Sequence, residues 1–355
     1  MKGLLLSGGK GSRLRPLTYT RAKQLIPIAN KPIIFYALES LSSAGITDIG
    51  VVVGETKDEI MEALGDGSKF GVRLTYIDQK FPLGLADAVL AAEGFIGHDR
   101  FVMFLGDNFI EQRLHQFVGQ YQSSSSSALL LLARVEQPER FGVVEMKEGH
   151  IVRLIEKPKH PPSNLALVGI YFFDHHIFDA AKKIKPSFRN ELEITDAIQK
   201  LIDDGLPIEH ETISGWWKDT GTLVDLLEAN RMALEWVKPE QLGSVEGDST
   251  LQGRVHIGKN TTVKNSTIRG PVILGEGCRL EGAFVGPFTS IGNRVTIIES
   301  EIEHSIVLDG ASIEGVDPRI QDSLLGCEAK VSRGHLLPKA LKFMIGDNSE
   351  VIVNS

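Results

Sequence analysis

Lys2-Gly3-Leu4-Leu5-Leu6-Ser7-Gly8-Gly9-Lys10-Gly11-Ser12-Arg13-Leu14-Arg15-Pro16-Leu17-Thr18 begins one residue into the chain. The apolar run Lys2–Leu6 reads as a buried strand that empties into a turn rich in glycine. Glycine lets backbone N–H groups come close to an anion. Ser12, Arg13 and Lys10 add donors and positive charge. Two familiar anion loops are excluded. A Walker A loop needs Gly-Lys followed by Ser or Thr, and Lys10 is followed by Gly11. A dinucleotide fingerprint needs a third small residue where this chain has Leu14. On this stretch alone, a tight turn after a buried strand is the alternative.

Beyond the turn, segments alternate. Residues 32–44 have helical apolar spacing and stop at Gly45; residues 49–53 are β-branched and end at Gly54. Lys57–Leu64 reads as a helix, 72–77 as a strand, 85–92 as a helix. Phe101–Leu105 is an apolar strand running into Gly106-Asp107-Asn108. Such alternation predicts a parallel sheet covered by helices on both faces. Extended runs at 128–133, 142–146, 151–155 and 168–173 follow with no helix between most of them, which predicts antiparallel additions. Helical patterns return at 193–204 and 222–236. The run Ser123-Ser124-Ser125-Ser126-Ser127 is expected to be a flexible connection.

Near Val237-Lys238-Pro239 helical periodicity ends. From about residue 250 an aliphatic residue precedes glycine repeatedly: Ile257-Gly258, Leu274-Gly275, Val285-Gly286 and Ile291-Gly292, at gaps of 17, 11 and 6 residues. Near-multiples of six predict short strands with tight corners, stacked as a hexapeptide-type β-helix. A small antiparallel sandwich is the alternative. The expected domains are 1–238, a β-helix over 245–340 and a tail over 341–355.

Composition sets outer bounds. The 355 residues are 42% hydrophobic and 24% charged, an ordinary globular balance. The formal net charge of -8 argues against nonspecific binding to nucleic acid but not against one nucleotide in a basic pocket. Two cysteines, Cys278 and Cys327, cannot build a disulfide framework, so a cytoplasmic setting is the default. The N-terminal apolar run is too short for a membrane span or signal peptide.

Further along, the loop continues as Lys23-Gln24-Leu25-Ile26-Pro27-Ile28 and Asn30-Lys31-Pro32-Ile33-Ile34. With the Gly-rich turn, this resembles the signature of the sugar-nucleotide pyrophosphorylase family. The resemblance extends through Gln79-Lys80-Phe81-Pro82-Leu83-Gly84-Leu85-Ala86, Leu105-Gly106-Asp107-Asn108, Phe141-Gly142-Val143-Val144-Glu145 and Ile155-Glu156-Lys157-Pro158. It continues in Val168-Gly169-Ile170-Tyr171, Glu191-Leu192-Glu193-Ile194-Thr195-Asp196 and Trp217-Lys218-Asp219-Thr220-Gly221-Thr222, covering about 1–234. Within the family it is most similar to the glucose-1-phosphate thymidylyltransferase branch, in the long form with an added β-helix. The implied fold is α/β: a Rossmann-like mixed sheet followed by a left-handed parallel β-helix.

The resemblance implies attack by a glucose 1-phosphate oxygen on the α-phosphorus of dTTP, giving dTDP-glucose and pyrophosphate with Mg²⁺ assistance. Such chemistry asks a protein to place two anions together and neutralise shifting charge. Arg13, whose guanidinium fork matches phosphate oxygens, and Lys23 are the expected catalytic residues. Leu6, Gly8, Gly9, Gly11, Ser12, Pro82 and Gly84 are expected around the nucleotide. Gln24 and Gln79 carry amides able to pair with the imide edge of thymine or uracil. Asp107, at a strand's carboxyl end, and Asp219 are the expected metal carboxylates, and Asp107 also lies at the nucleotide. Asn108, Gly142, Glu156, Lys157, Val168, Tyr171 and Arg189 are expected on the sugar-phosphate side.

UTP in place of dTTP is the nearest alternative. An acyl-transferring β-helix and a sugar-nucleotide-sensing scaffold are the others. The residues just named argue against a decayed site, and the repeat shows no coenzyme-A signature. Nucleic-acid and membrane partners are not expected; a homo-oligomer joined through the β-helix is. The histidines are given no role, with His175-His176 expected at a helix start.

Overall fold

In the computed structural model, which describes residues 1–9 and 11–334, Lys2–Leu6 is a central strand of a nine-stranded sheet. It pairs in parallel with Asp48–Val53 on one side and Phe101–Leu105 on the other, and Asp48–Val53 pairs in parallel with Arg73–Asp78. The strand after Lys2–Leu6 lies to one side and the later one to the other. That divergence makes the carboxyl end of Lys2–Leu6 a topological switch point, where open α/β sheets bind ligands. The Gly-rich turn begins there.

The rest of the sheet is mixed. Leu165–Phe173 runs antiparallel to Phe101–Leu105 and to Ala128–Arg134, and Ile208–Thr212 adds in parallel to Ala128–Arg134. Gly142–Lys147 and His150–Glu156 form an antiparallel edge ribbon. Side chains alternate between two cores, one per face. Leu4, Leu6, Phe101 and Met103 enter one, and Leu5, Val102 and Phe104 enter the other. Helices cover both faces, including Ile33–Ser43 and Ile194–Asp203.

The serine run departs from expectation. Ser123 ends the helix His115–Ser123, and Ser126 and Ser127 are buried. The hydroxyls of Ser124 and Ser126 donate to Glu209 Oε1 at 2.5 and 2.7 Å. Small side chains here allow the chain to be drawn in and tied, so the connection is fixed by side-chain bonds that composition does not reveal.

From Glu240 onward the chain forms three parallel sheets of six, six and five short strands, a parallel β-helix. Equivalent strands are Val255–Ile257, Val272–Leu274 and Thr289–Ile291, with Val255 beside Val272 and Val272 beside Thr289, so one coil takes 17 residues. The 17-residue gap between Ile257-Gly258 and Leu274-Gly275 is therefore one whole coil. Inward rows such as Val263, Leu280, Ile297 and Ile313 are fully buried. The glycines are a stacking requirement: a Cβ on Gly258 would stand 2.5 Å from Gly275 O, and one on Gly275 would stand 2.6 Å from Gly292 O. The expected tail at 341–355, and 335–340 of the expected β-helix, lie outside the described residues.

Compact units do not follow the expected boundary at 238. One holds residues 1–9, Arg21–Leu25 and Ile33–Asp219; the other holds Gly11–Thr20, Ile26–Pro32 and 220–334. Within the second, the helix Leu223–Leu234 packs on the β-helix: Asn230 Nδ2 donates to Phe288 O at 3.2 Å, and Arg231 lies over the Phe288 ring. Asn30 Nδ2 donates to Ile291 O at 2.6 Å. A Cβ on Gly326 would stand 3.4 Å from Leu17 Cδ2. These few contacts bind segments remote in sequence, so periodicity carries no trace of them. Among the described residues no helix is long and apolar enough to cross a membrane.

Candidate active site

At the carboxyl edge of the sheet, the turn after Lys2–Leu6 keeps its glycines for close approach. A Cβ on Gly9 would stand 3.8 Å from Lys23 Cε and 3.9 Å from Gln24 Nε2. One turn thus holds a bare backbone beside a cation and an amide. Leu6 is buried in the core beneath it. Gln24 is 2% exposed, and its Oε1 has no hydrogen-bond partner among the described residues. A buried carbonyl left unpaired costs free energy, so such a group marks a place for a donor.

Gln79 follows the strand Arg73–Asp78. Its Nε2 donates to Asp87 Oδ2 at 2.8 Å and to Gly84 O at 3.2 Å, and its Oε1 would be 2.9 Å from a Cβ on Gly8. Gly84 has φ 114°, and a Cβ there would stand 2.4 Å from Leu192 O. Its glycine is thus required by the main chain of Leu192. Pro82 is exposed in the same loop.

Asp107 ends the turn after Phe101–Leu105. Its carboxylate is paired with the Lys23 ammonium and accepts from Asn108 Nδ2 at 3.1 Å. Burial alone would raise its pKa, but the Lys23 charge and these hydrogen bonds outweigh it and hold the carboxyl below its ordinary value. Asn108 is itself buried, accepting from Trp217 Nε1 at 2.5 Å. Its side chain is packed against Gly169, where a Cβ would stand 2.6 Å from Asn108 Oδ1. Asn108 therefore orients Asp107, a role its expected place on the sugar side did not include. The Trp217 indole N–H anchors this arrangement.

The ribbon Asn108–Ile110 with Trp217–Asp219 pairs Asp219 opposite Asn108, the residue after Asp107. Asp219 therefore ends one strand of this ribbon, and Asp107 immediately precedes the other. Carboxylates are hard oxygen donors, the donor type that suits Mg²⁺. Elsewhere, Asp174, His175 and His176 bring donor atoms within 4.8 Å of one another, but Asp174 Oδ1 already accepts from His176 N at the start of His176–Lys183. As expected, the two histidines open a helix.

Glu156 ends the edge ribbon. A Cβ on Gly142 would stand 3.2 Å from Glu156 Oε2 and 2.7 Å from Thr195 Cγ2, so glycine makes room for this carboxylate. Burial raises its pKa above the ordinary 4.5; Lys157 and Arg189 pull the other way. Lys157 lies 3.5 Å from it and adopts φ 43°, the left-handed region that a lysine seldom takes. Arg189 is held by Glu156 at 3.4 Å, Glu191 at 3.0 Å and Glu193 at 3.4 Å. Tyr171 is buried, and burial, Glu156 and Asp219 push its hydroxyl above the ordinary value. Val168 is buried in the core, so only its backbone can face a ligand.

Gly11, Ser12 and Arg13 belong to the second unit. Gly11 has φ 61°, and its carbonyl accepts from Thr18 Oγ1 at 2.7 Å. Ser12 is exposed. The Arg13 guanidinium lies on Gly221, where a Cβ would stand 2.8 Å from Nη2 and 3.0 Å from Cζ. Gly221 was part of a recognised motif, but its function as a seat for Arg13 has no sequence signal of its own.

The nucleotidyl transferase family pattern matches residues 2–235. A glucose-1-phosphate thymidylyltransferase from Streptomyces griseus is 48% identical, covering 100% of both chains. A low-salt glycan biosynthesis nucleotidyltransferase, Agl11, from Haloferax volcanii is 46% identical over 99% of both. A solved structure from Bacillus anthracis, assigned as a glucose-1-phosphate thymidylyltransferase and in complex with a sucrose, is 40% identical with TM-score 0.63; the match covers 66% of this chain and 95% of that one.

Proposed function

Because the chain belongs to the nucleotidyl transferase family, we propose that it transfers a thymidylyl group from dTTP to α-D-glucose 1-phosphate and releases pyrophosphate. The observation that carries this reading is the turn at Gly9, where Lys23 Cε and Gln24 Nε2 both lie within 4 Å of the place a Cβ would occupy. The full-length similarity to a thymidylyltransferase supports it.

The phosphate oxygen of the sugar attacks the α-phosphorus, and pyrophosphate departs opposite. Backbone N–H groups at Gly8 and Gly9 and the Lys23 ammonium receive the α-phosphate. Arg13 and Ser12 receive the outer phosphates, whose charge grows as the bond breaks. Gln79 accepts from the imide N–H of the base, and the Gln24 amide faces the same imide edge. Glu156 accepts from sugar hydroxyls, while Lys157 and Arg189 neutralise the sugar phosphate. Asp107 and Asp219 would hold Mg²⁺, which when bound neutralises phosphate charge. The Lys23–Asp107 pair keeps the carboxylate ionised for that purpose.

Uracil carries the same imide edge as thymine, so UTP is the second reading. The test is pyrophosphate release from glucose 1-phosphate with dTTP, UTP, CTP, ATP and GTP in the presence of Mg²⁺. A dominant dTTP rate supports the proposal. A dominant UTP rate replaces the product, and silence with all five overturns the reaction. We also place the enzyme in the cytoplasm as a homo-oligomer; a monomer mass by light scattering of the full chain would overturn the second part.

A further inference from the structure

Both amide hydrogens of Gln79 are committed, and this limits what the residue can read. Nε2 donates to the Asp87 carboxylate at 2.8 Å and to the Gly84 carbonyl at 3.2 Å. Each partner can only accept. A flipped amide would turn Oε1 toward two acceptors and lose both bonds, so the orientation is fixed by chemistry. The carbonyl end is left beside Gly8, at the Gly-rich turn.

The Asp87 carboxylate is itself held on a firm support. It lies in the first turn of Leu85–Ala91, whose Ala86 N donates to Leu192 O at 3.0 Å. Leu192 N donates back to Leu83 O at 2.6 Å. Two strands of backbone are thus stitched together around the loop that carries Gly84.

We propose that Asp87 is a specificity-determining residue for the nucleobase, acting by locking Gln79 as an acceptor. An acceptor at that place pairs with a pyrimidine whose N3 bears hydrogen, as in thymine and uracil. Cytosine presents a lone pair at N3 and meets acceptor against acceptor. Without Asp87 only the longer bond to Gly84 O opposes rotation about the last torsion, so the amide offers either end more readily and excludes cytosine less well. Asp87 is a positioning residue: it acts through Gln79 and touches no substrate atom. The inference rests on the reading of Gln79 as a base-facing residue.

The experiment compares kcat/KM for dTTP and CTP, each with glucose 1-phosphate, in the full chain and in Asp87→Ala, Asp87→Asn and Gln79→Ala. Asp87→Ala is expected to lower the dTTP-to-CTP ratio about tenfold or more, chiefly through KM, as expected when a hydrogen-bonding site loses its fixed orientation. Asp87→Asn keeps the shape of the side chain and serves if the alanine variant does not fold. Its amide can meet either end of Gln79, so a fall in the same direction is expected. On a Gln79→Ala background, Asp87→Ala is expected to leave the ratio unmoved. An unchanged ratio in both Asp87 variants, beside a fall in Gln79→Ala, overturns the lock but leaves Gln79 as the reader. A ratio that Gln79→Ala does not move overturns both.

Discussion

Replacing Gly221 by alanine should separate catalysis from stability. The new Cβ would stand 2.8 Å from Arg13 Nη2, 3.0 Å from Cζ and 3.2 Å from Nη1. Comfortable contacts with carbon begin near ~3.5 Å, so the planar head must withdraw by roughly half an ångström to one ångström. The obstruction is the far end of a flexible side chain, and Gly221 is not among the glycines with positive φ. The backbone therefore accepts alanine, and fewer unfolded conformations offset small losses by about 0.4–1 kcal/mol. A misplacement near one ångström costs about 100-fold in rate, or ~2.7 kcal/mol of barrier. Steady-state pyrophosphate release should show kcat/KM lower by about 10- to 100-fold, while the thermal midpoint stays close to that of the parent. The loss should vanish on an Arg13→Ala background, where no guanidinium remains to be displaced. Retention of activity within about twofold, or an equal loss without Arg13, would refute the seat.

Three further outcomes follow from individual contacts. Burial, the largest influence on Glu156, raises its carboxyl above 4.5, so its ionised form is complete well above that value and is lost as pH falls through the raised pKa. The KM for glucose 1-phosphate should climb over that window, and Glu156→Gln should flatten the climb at a KM higher by about tenfold; an unchanged acid limb in the variant argues against Glu156 as the sugar's acceptor. Thr222 caps Leu223–Leu234 through Oγ1, which accepts from Asp225 N at 3.3 Å and donates to Asp225 Oδ2 at 2.6 Å. Thr222→Ala should cost about 1 kcal/mol in urea unfolding, and no measurable change would mean the cap is idle. Ile297, fully buried in the β-helix, should cost about 2–5 kcal/mol when cut to alanine; a loss below about 1 kcal/mol would show that the coils close around the gap.

Periodic features were readable from the sequence. Leu4, Leu5 and Leu6 announce a two-faced strand because a central parallel strand buries both sides. The Ile257-Gly258 and Leu274-Gly275 pairs announce coils because each coil needs an aliphatic inward residue and a bare backbone to stack on. Single contacts left no such trace. Leu17 against Gly326 and Asn30 on Ile291 each join distant segments through one pair of groups, so a boundary drawn from helical periodicity at 238 missed them. Asp87 occupies a helix first turn, where acidic residues are favoured whatever their partners, and only the position of Gln79 reveals its partner. Trp217 was legible as an aromatic, but not as the donor that turns Asn108 toward Asp107.

The stacked coils also act as a ruler. Asn30 is fastened at Ile291, whereas Leu17 rests at Gly326, next to Leu325. Ile291, Val307 and Leu325 are successive rungs of one ladder. Rungs are spaced ~4.8 Å apart, so the two attachment points stand two graduations, roughly 10 Å, apart. Insertions or losses of whole coils beyond this span would lengthen or shorten the stack without disturbing either attachment. A coil gained or lost within it would shift Leu17 by a full graduation relative to Asn30, and with it the short segment that bears Arg13. Growth by tandem duplication is thus free at one end of the stack and forbidden in the middle.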